Sequence, residues 1–263
     1  MFTFVAHAVH NTRLFADWEE ASALWLRIVL RGPGLRGLVL MPNHLHLDST
    51  SGDPKPLDLA LRAFALWRNH HRGEAGAVWA ARPAPEALSG PKHIRRNLRY
   101  LHLNPCRARL VACPAAWPFS THRDCLGLAA APARPRVSDP FAFHAYVSGD
   151  PSCAVEGTPY PSARLAEDRI PLGRIAAAVS EYLRRPLSEV YAPGKARRTF
   201  LAAARSLTDW SGAAIADHAG CSRALVSRTR PLETRAASAI ARMAADDRFW
   251  GLRDQDPRLL WRR

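Results

Sequence analysis

The sequence predicts an α+β protein, with a mixed domain of order β-α-β-β-α-β followed by an all-helical domain. Three observations carry this. In the first half, short β-branched and aromatic runs alternate with apolar residues at helical spacing. An alanine- and proline-rich stretch from Ala129 to Arg164 interrupts that pattern. Beyond it, the apolar repeats are helical. The expected boundaries are 1–128 for the first domain, 129–168 for a connection with one short helix around Phe141 to Val147, and 169–263 for the second domain.

Phe2 to Val9 reads as the first strand. Asp17 stands at an N-cap position ahead of Glu19 and Glu20, whose charges suit a helix start. Leu24, Leu26, Ile28, Val29 and Leu30 give a helix that is apolar over much of its surface, and Gly32-Pro33-Gly34 ends it. Leu35 to Leu40 is a second strand, Pro42-Asn43 a turn, and His44 to Asp48 a third strand. Leu57, Leu61, Phe64 and Trp67 recur at helical spacing. The end of that helix, Arg68-Asn69-His70-His71-Arg72, reads either as a solvated terminus whose charge suits the helix dipole or as a phosphate-facing patch. Gly76 to Ala80 is expected as the last short strand. This order is that of the ferredoxin-like split unit.

After a proline-rich loop, Lys92 to Asn104 reads as a helix with Ile94, Leu98 and Leu101 buried and Leu103 near the edge of the stripe. Arg95, Arg96, Arg99, Tyr100 and Asn104 fall mostly off that stripe. Pro105 either stops this helix or begins another.

The chain has 37 lysines and arginines against 23 acids, a net charge of +14, which points to a polyanionic partner. Its 48% hydrophobic residues support a real core. The 5 cysteines are odd in number and include no C-x-x-C pair, which speaks against a disulfide framework and a zinc ribbon. Cys106 and Cys113 read as small apolar residues rather than ligands. The N-terminus has no signal-peptide pattern and no apolar run approaches membrane-spanning length, so a cytoplasmic, nucleoid-associated protein with no membrane partner is expected.

The chemistry concentrates in two motifs, Met41-Pro42-Asn43-His44-Leu45-His46-Leu47 and Arg99-Tyr100-Leu101-His102-Leu103-Asn104-Pro105. On a strand, residues two apart share a face, so His44 and His46 point the same way. On a helix, residues four apart share a face, so Tyr100 and Asn104 look out together. Two imidazoles and a carboxamide can hold one divalent metal, and a phenol beside it is a nucleophile for phosphoryl chemistry. Taken one at a time, histidines are more often structural than ligating, and His102 fits that description. Tyr146, Tyr160, Tyr182 and Tyr191 read as packing or surface residues.

Together, the two motifs, Cys106-Arg107-Ala108 and the segment Trp117-Pro118-Phe119-Ser120-Thr121-His122-Arg123 with Leu126-Gly127 resemble the single-tyrosine transposases of the HUH (His-hydrophobe-His) nuclease superfamily, above all the REP-associated, IS200-like tyrosine transposases. The resemblance spans Phe2 to Gly149 and takes in Phe143 to Gly149 as a last weak element. It implies Tyr100 as nucleophile, His44, His46 and Asn104 as ligands of Mg²⁺ or Mn²⁺, and a 5′-phosphotyrosine intermediate on single-stranded or hairpin, repeat-associated DNA. Arg95, Arg96, Arg99 and Arg107 are the expected DNA contacts around it. The sequence departs from the family at Asp48, which falls on the histidine face of its strand as an extra ligand or a partner behind the ligands. It departs again at Arg109, where the family often has glycine.

In the second domain, Ile175, Val179 and Leu183 mark one helix that Pro186 breaks, and Lys195 to Leu207 marks a longer one. Ser211 to Arg228 holds a helix with Ile215, a turn at Gly220, an N-cap at Ser222 and a second helix with Leu225 and Val226, a helix-turn-helix pattern. It would present Arg223, Ser227 and Arg228 to DNA. The region resembles the C-terminal DNA-binding domain of the bacterial replication initiator DnaA. The expected activity is thus metal-dependent cutting and rejoining of DNA strands. The alternatives are a catalytically silent or domesticated DNA-binding regulator derived from such an enzyme, and a zinc hydrolase, for which a carboxylate base in a known arrangement is missing. The sequence leaves the oligomeric state open, a homodimer among the options.

Overall fold

A computed structural model of the chain describes residues 1–32, 34–134, 136–149 and 170–255; residues 150–169 of the expected connection, Tyr160 included, lie outside them. Met1–Thr158 with Arg248–Arg263 form one compact unit and Pro159–Asp247 the other. The protein is α+β, with a four-stranded antiparallel sheet and many helices.

The sheet is built from β1 (Phe2–His7), β2 (Leu35–Met41), β3 (His44–Ser49) and β4 (Glu86–Ala87), in spatial order β2-β3-β1-β4. Alternation sorts the side chains to two faces. Phe4 and Ala6 of β1, Leu38 and Leu40 of β2, and Leu45 and Leu47 of β3 join one core with α1 (Trp18–Arg31) and α2 (Lys55–Arg72). The opposite face carries Val39 and Met41, which pack with Leu101 of α3 (Gly90–Arg107) and Trp117. Both faces are covered, so β2 reads as a continuous apolar run rather than an alternating one.

Local signals place the helices. The Asp17 carboxylate accepts the Glu20 amide at 2.9 Å, and the Glu20 carboxylate accepts the Ala16 amide at 2.6 Å, so two orphan donors at the start of α1 are satisfied reciprocally. Glu20 also pairs with Arg72 at 2.5 Å. Burial pushes the Glu20 carboxyl up, but the Arg72 hydrogen bond, the Ala16 amide and the arginine charge hold it below its usual value. The two arginines at the basic end of α2 are therefore engaged inside the fold, while His70 and His71 are exposed. Arg68 is buried and donates to the Leu14 carbonyl at 3.1 Å, and His71 stacks on Trp67.

The last strand differs from expectation. Trp79 forms only an isolated bridge with Ala8, with Val9 and Ala80 making flanking backbone bonds. The ladder resumes at Glu86–Ala87, opposite Thr3 and Phe2. Pro83 and Pro85 explain the gap, because proline has no amide proton for the ladder. At the other edge, the Leu40 amide donates to the Phe119 carbonyl, Thr121 bonds Leu38, and the Trp117 indole donates to the Leu40 carbonyl. The segment expected to follow the second motif thus covers the exposed edge of β2.

α3 runs through Pro105 for two further residues and then closes. Arg109 adopts φ 56°, the left-handed region glycine favours, while its amide bonds the Cys106 carbonyl and the Leu110 amide bonds Pro105. Leu103 is fully buried with Cys106 and Val147, whereas Ile94 and Leu98 are half-buried. The buried stripe rotates because α5 (Pro140–Ser148) and the turn at Pro114–Ala116 pack beside α3, with α4 (Thr121–Leu126) packed against both.

In the second unit, α6 (Leu172–Leu183), α7 (Leu187–Tyr191), α8 (Lys195–Leu207), α9 (Gly212–His218), α10 (Arg223–Arg228) and α11 (Thr234–Ala245) enclose Ile175, Val179, Phe200, Leu201, Ile215 and Ile240. Gly220 at φ 58° turns the chain between α9 and α10, and the Ser222 hydroxyl accepts the Leu225 amide at 3.3 Å. Arg205 of α8 donates to the carbonyls of Val226, Ser227 and Thr229, holding the end of α10. From Arg248 onward, α12 (Asp247–Gln255) belongs to the first unit. Leu252 joins the core of that unit, and fully buried Arg248 pairs with fully buried Asp124. An apolar face and a desolvated guanidinium both need partners there.

Candidate functional site

β3 and α3 bring the two motifs together. The rings of His44 and His46 lie 5.0 Å apart, edge to face, on the side of β3 away from α1 and α2. The Tyr100 ring stands 5.5 Å from His46 and perpendicular to it. Tyr100 is 42% exposed, so the phenol is open to solvent, whereas His46 is buried. The guanidinium of Arg107 lies 5.1 Å from the centre of the Tyr100 ring. Asn104, one turn beyond Tyr100, is buried, and its amide nitrogen donates to the Tyr100 carbonyl at 3.2 Å. The carboxamide oxygen, the atom that ligates cations, is thereby kept off that bond.

The electrostatics favour neutral imidazoles. Burial, then the neighbouring His7, pushes His44 down to about 4. Burial, then His44 and His7, pushes His46 down to about 4. Their ring nitrogens are therefore free of the second proton at neutral pH and can bind a metal. The Asn43 carboxamide oxygen lies 2.7 Å from His44 Nδ1 and accepts its proton, which directs the lone pair to Nε2. Asn43 is held in turn by Asn11, at 2.5 Å. His7 stacks on His44 at 5.1 Å.

Among the described residues, no three His, Cys, Asp or Glu side chains gather as a metal-holding group. The donors expected from the sequence are two imidazoles, whose rings lie 5.0 Å apart, and the Asn104 carboxamide. Such a set is uncharged and would leave positions for water and phosphate oxygens. That composition fits a divalent ion, and imidazole suits Mn²⁺ better than it suits Mg²⁺.

The expected DNA contacts divide. Arg95 and Arg96 are exposed on α3, as is Arg107 at its end. Arg99 is engaged inside the unit: its Nε donates to the Tyr146 carbonyl at 2.8 Å and its guanidinium covers the Tyr146 ring at 4.0 Å. Arg223, Ser227 and Arg228 are exposed on α10 in the second unit, where Val226 is the buried residue. Asp48 is fully buried, and Asn97 donates to its two oxygens at 2.8 and 2.9 Å. Burial pushes Asp48 up to about 6 against the hydrogen bonds of Thr3 and Asn97.

Sequence reasoning missed Asn97, Asn43 and Asn11. Asn97 lies one turn before Tyr100 on the same helical face, a spacing that could have revealed it. It also missed a buried cluster behind the site. His122 Nε2 and His144 Nδ1 are 3.0 Å apart, and His102 Nδ1 lies 3.4 Å from the Ser120 hydroxyl. Burial holds His102 down to about 3 and His122 well below its usual value. His102 is thus a packed, neutral residue linking α3 to α4.

The fold and the site define an α+β protein that presents a histidine pair and an open tyrosine on one face of its sheet. Neither a protein-family model nor a curated protein matches this chain. One solved structure, a REP-associated tyrosine transposase bound to a REP hairpin, is similar to part of it. The identity is 21%, covering 47% of this chain and 77% of that one, with a TM-score of 0.38. At that level of similarity the functional reading rests on the chain's own site. No described helix is long and apolar enough to cross a membrane.

Proposed function

We propose that this protein cuts and rejoins single-stranded or hairpin DNA through Tyr100, with His44, His46 and Asn104 holding a divalent cation, Mn²⁺ in preference to Mg²⁺. The observation that carries the reading is the perpendicular contact between the open Tyr100 and the buried, neutral His46. A ferredoxin-like first unit is part of it: β3 lies between β1 and β2, the arrangement of a split β-α-β unit.

His44, His46 and Asn104 would hold the cation, which would polarise the scissile phosphate and offset its charge. Tyr100 supplies the attacking oxygen. A bond forms between its phenolic oxygen and phosphorus, the bond from phosphorus to the 3′ oxygen breaks, and the phenolic proton is lost to solvent as the 3′ oxygen takes one up. The product is a 5′-phosphotyrosine and a free 3′-hydroxyl. Attack by a 3′-hydroxyl reverses the step and restores Tyr100, with no net cost of phosphodiester bonds. α3 holds the phenol in line more firmly than a loop would. Arg107 places positive charge beside the ring, and Arg95 and Arg96 meet the DNA backbone. In the second unit, α9 and α10 act as a helix-turn-helix whose Arg223, Ser227 and Arg228 locate the site.

Labelled hairpin oligonucleotides from DNA flanking the gene, incubated with protein and Mn²⁺ or Mg²⁺, test this. A denaturation-resistant adduct is expected, absent with EDTA and with Tyr100→Phe. Specific binding without an adduct under any metal would instead favour a non-cutting regulator.

A further inference from the structure

The histidine face of β3 does not end at His46. His44, His46 and Asp48 are successive residues on that face. The face of α3 turned to β3 carries a matching row, Asn97, Tyr100 and Asn104, spaced three and four residues apart. Two rungs between the rows are formed: Asp48 with Asn97 at 2.8 and 2.9 Å, and His46 with Tyr100 at 5.5 Å between rings. Two strand residues advance by about 7 Å and three to four helix residues by about 5–6 Å, so the rows stay nearly in step over this distance.

Asp48 is well placed to fix that step. It is fully buried, with Thr3 of β1 on one side in the register and Gly37 of β2 on the other. Gly37 leaves room for the helix. A Cβ there would meet Leu101 Cδ1 at 3.2 Å and Asp48 Cβ at 3.6 Å. Apolar packing of Leu101 against Val39 and Met41 presses α3 onto the sheet but tolerates sliding. A carboxylate bonded through both oxygens to one carboxamide does not, because a shift takes the Asn97 donor away from a buried carboxylate.

We infer that Asp48 and Asn97 are positioning residues that set the register of α3 on β3 and thereby place Tyr100 against His46. The inference rests on the nuclease reading for its catalytic consequence, but not for the geometry itself. In this arrangement the carboxylate acts on Asn97, which donates to both of its oxygens. The same step would set Asn104 opposite His44 as a third rung.

The test compares Asn97→Ala, Asp48→Leu and the near-isosteric Asp48→Asn with the wild type in the full chain. The rate of adduct formation on a hairpin with Mn²⁺, hairpin affinity, and the ring-proton resonances of His46 are measured. These resonances report the Tyr100 ring, and Tyr100→Leu supplies the reference for its loss. Asn97 is half-buried, so Asn97→Ala keeps the fold if Asp48→Leu does not. Asn97→Ala is expected to slow adduct formation about 10- to 100-fold, as a small misplacement of a nucleophile does. Hairpin affinity should stay within about 2-fold, and the His46 resonances should move toward those of Tyr100→Leu. Asp48→Asn keeps an acceptor for Asn97 and should recover most of the rate. An unchanged rate, or unchanged His46 resonances, in Asn97→Ala overturns the inference. If the wild type forms no adduct, the nuclease reading falls and the resonances alone decide whether Asp48 and Asn97 set the register.

Discussion

His44 sits between two neighbours that act on it differently. His7 stacks on its face and helps burial keep it neutral, while the Asn43 carboxamide oxygen accepts a hydrogen bond from Nδ1 and leaves the lone pair on Nε2. Losing a hydrogen-bond partner behind a ligand typically costs about 10- to 100-fold in metal affinity. Asn43→Ala should therefore raise the Mn²⁺ concentration needed for half-maximal adduct formation about tenfold, with hairpin affinity unchanged, as a metal titration would show. Arg109 has a different local problem. It replaces the glycine that its left-handed conformation favours, at a cost of roughly 1 kcal/mol. Arg109→Gly should raise the Tm by about 2–4 °C in a thermal melt. The left-handed residue is accommodated in a turn that closes with the Arg109 amide on Cys106 and the Leu110 amide on Pro105.

At the scale of elements, the junction of α3, α4 and α5 depends on three buried histidines. His122 is neutral when folded, held well below 6.5 by burial first, then by His102, His144 and Arg123. In the unfolded chain the same ring takes up a proton near its ordinary value of about 6.5. Below that pH the unfolded state binds more protons than the folded one, so stability falls as the pH drops and is fully present above it. The Tm at pH 5 should lie below that at pH 7.5, and His122→Leu should flatten the dependence. The start of α1 and the end of α2 share a second polar junction, Glu20 with Arg72. Glu20→Ala removes a cap and a buried acceptor together, and should cost about 2–4 kcal/mol in chemical denaturation. The helix starts were readable from Asp17, Ser222 and the apolar spacing. The fourth strand was not, because two-residue pairing at Glu86–Ala87 carries no periodicity.

At the scale of the molecule, the first unit is completed by chain that follows the second. Arg248 and Leu252 enter its core, and Arg248 neutralises Asp124 where both are fully buried. Breaking such a pair by removing one partner costs about 3–5 kcal/mol. A chain truncated after residue 168 should melt well below the full chain when the first unit is followed by its tryptophan fluorescence, and Asp124→Asn should recover part of the loss. The net charge of +14 also acts over the whole molecule. Hairpin affinity should fall steeply with salt, as counterion release requires for a binder that contacts several phosphates.

The sequence by itself determined the α+β class, the placement of His44 and His46 on one strand face, and the pairing of Tyr100 with Asn104 on one helix face. Each follows from a local period, two for strands and three to four for helices, that needs no knowledge of distant residues. It also marked Asp48 as a residue on that same face. Only the tertiary structure decided that Asn97 answers Asp48, that Tyr146 takes up Arg99, and that Arg248 returns to Asp124. Those pairings join residues far apart in the chain, and burial decides them: a desolvated charge or carboxamide bonds whatever partner the packing brings within reach.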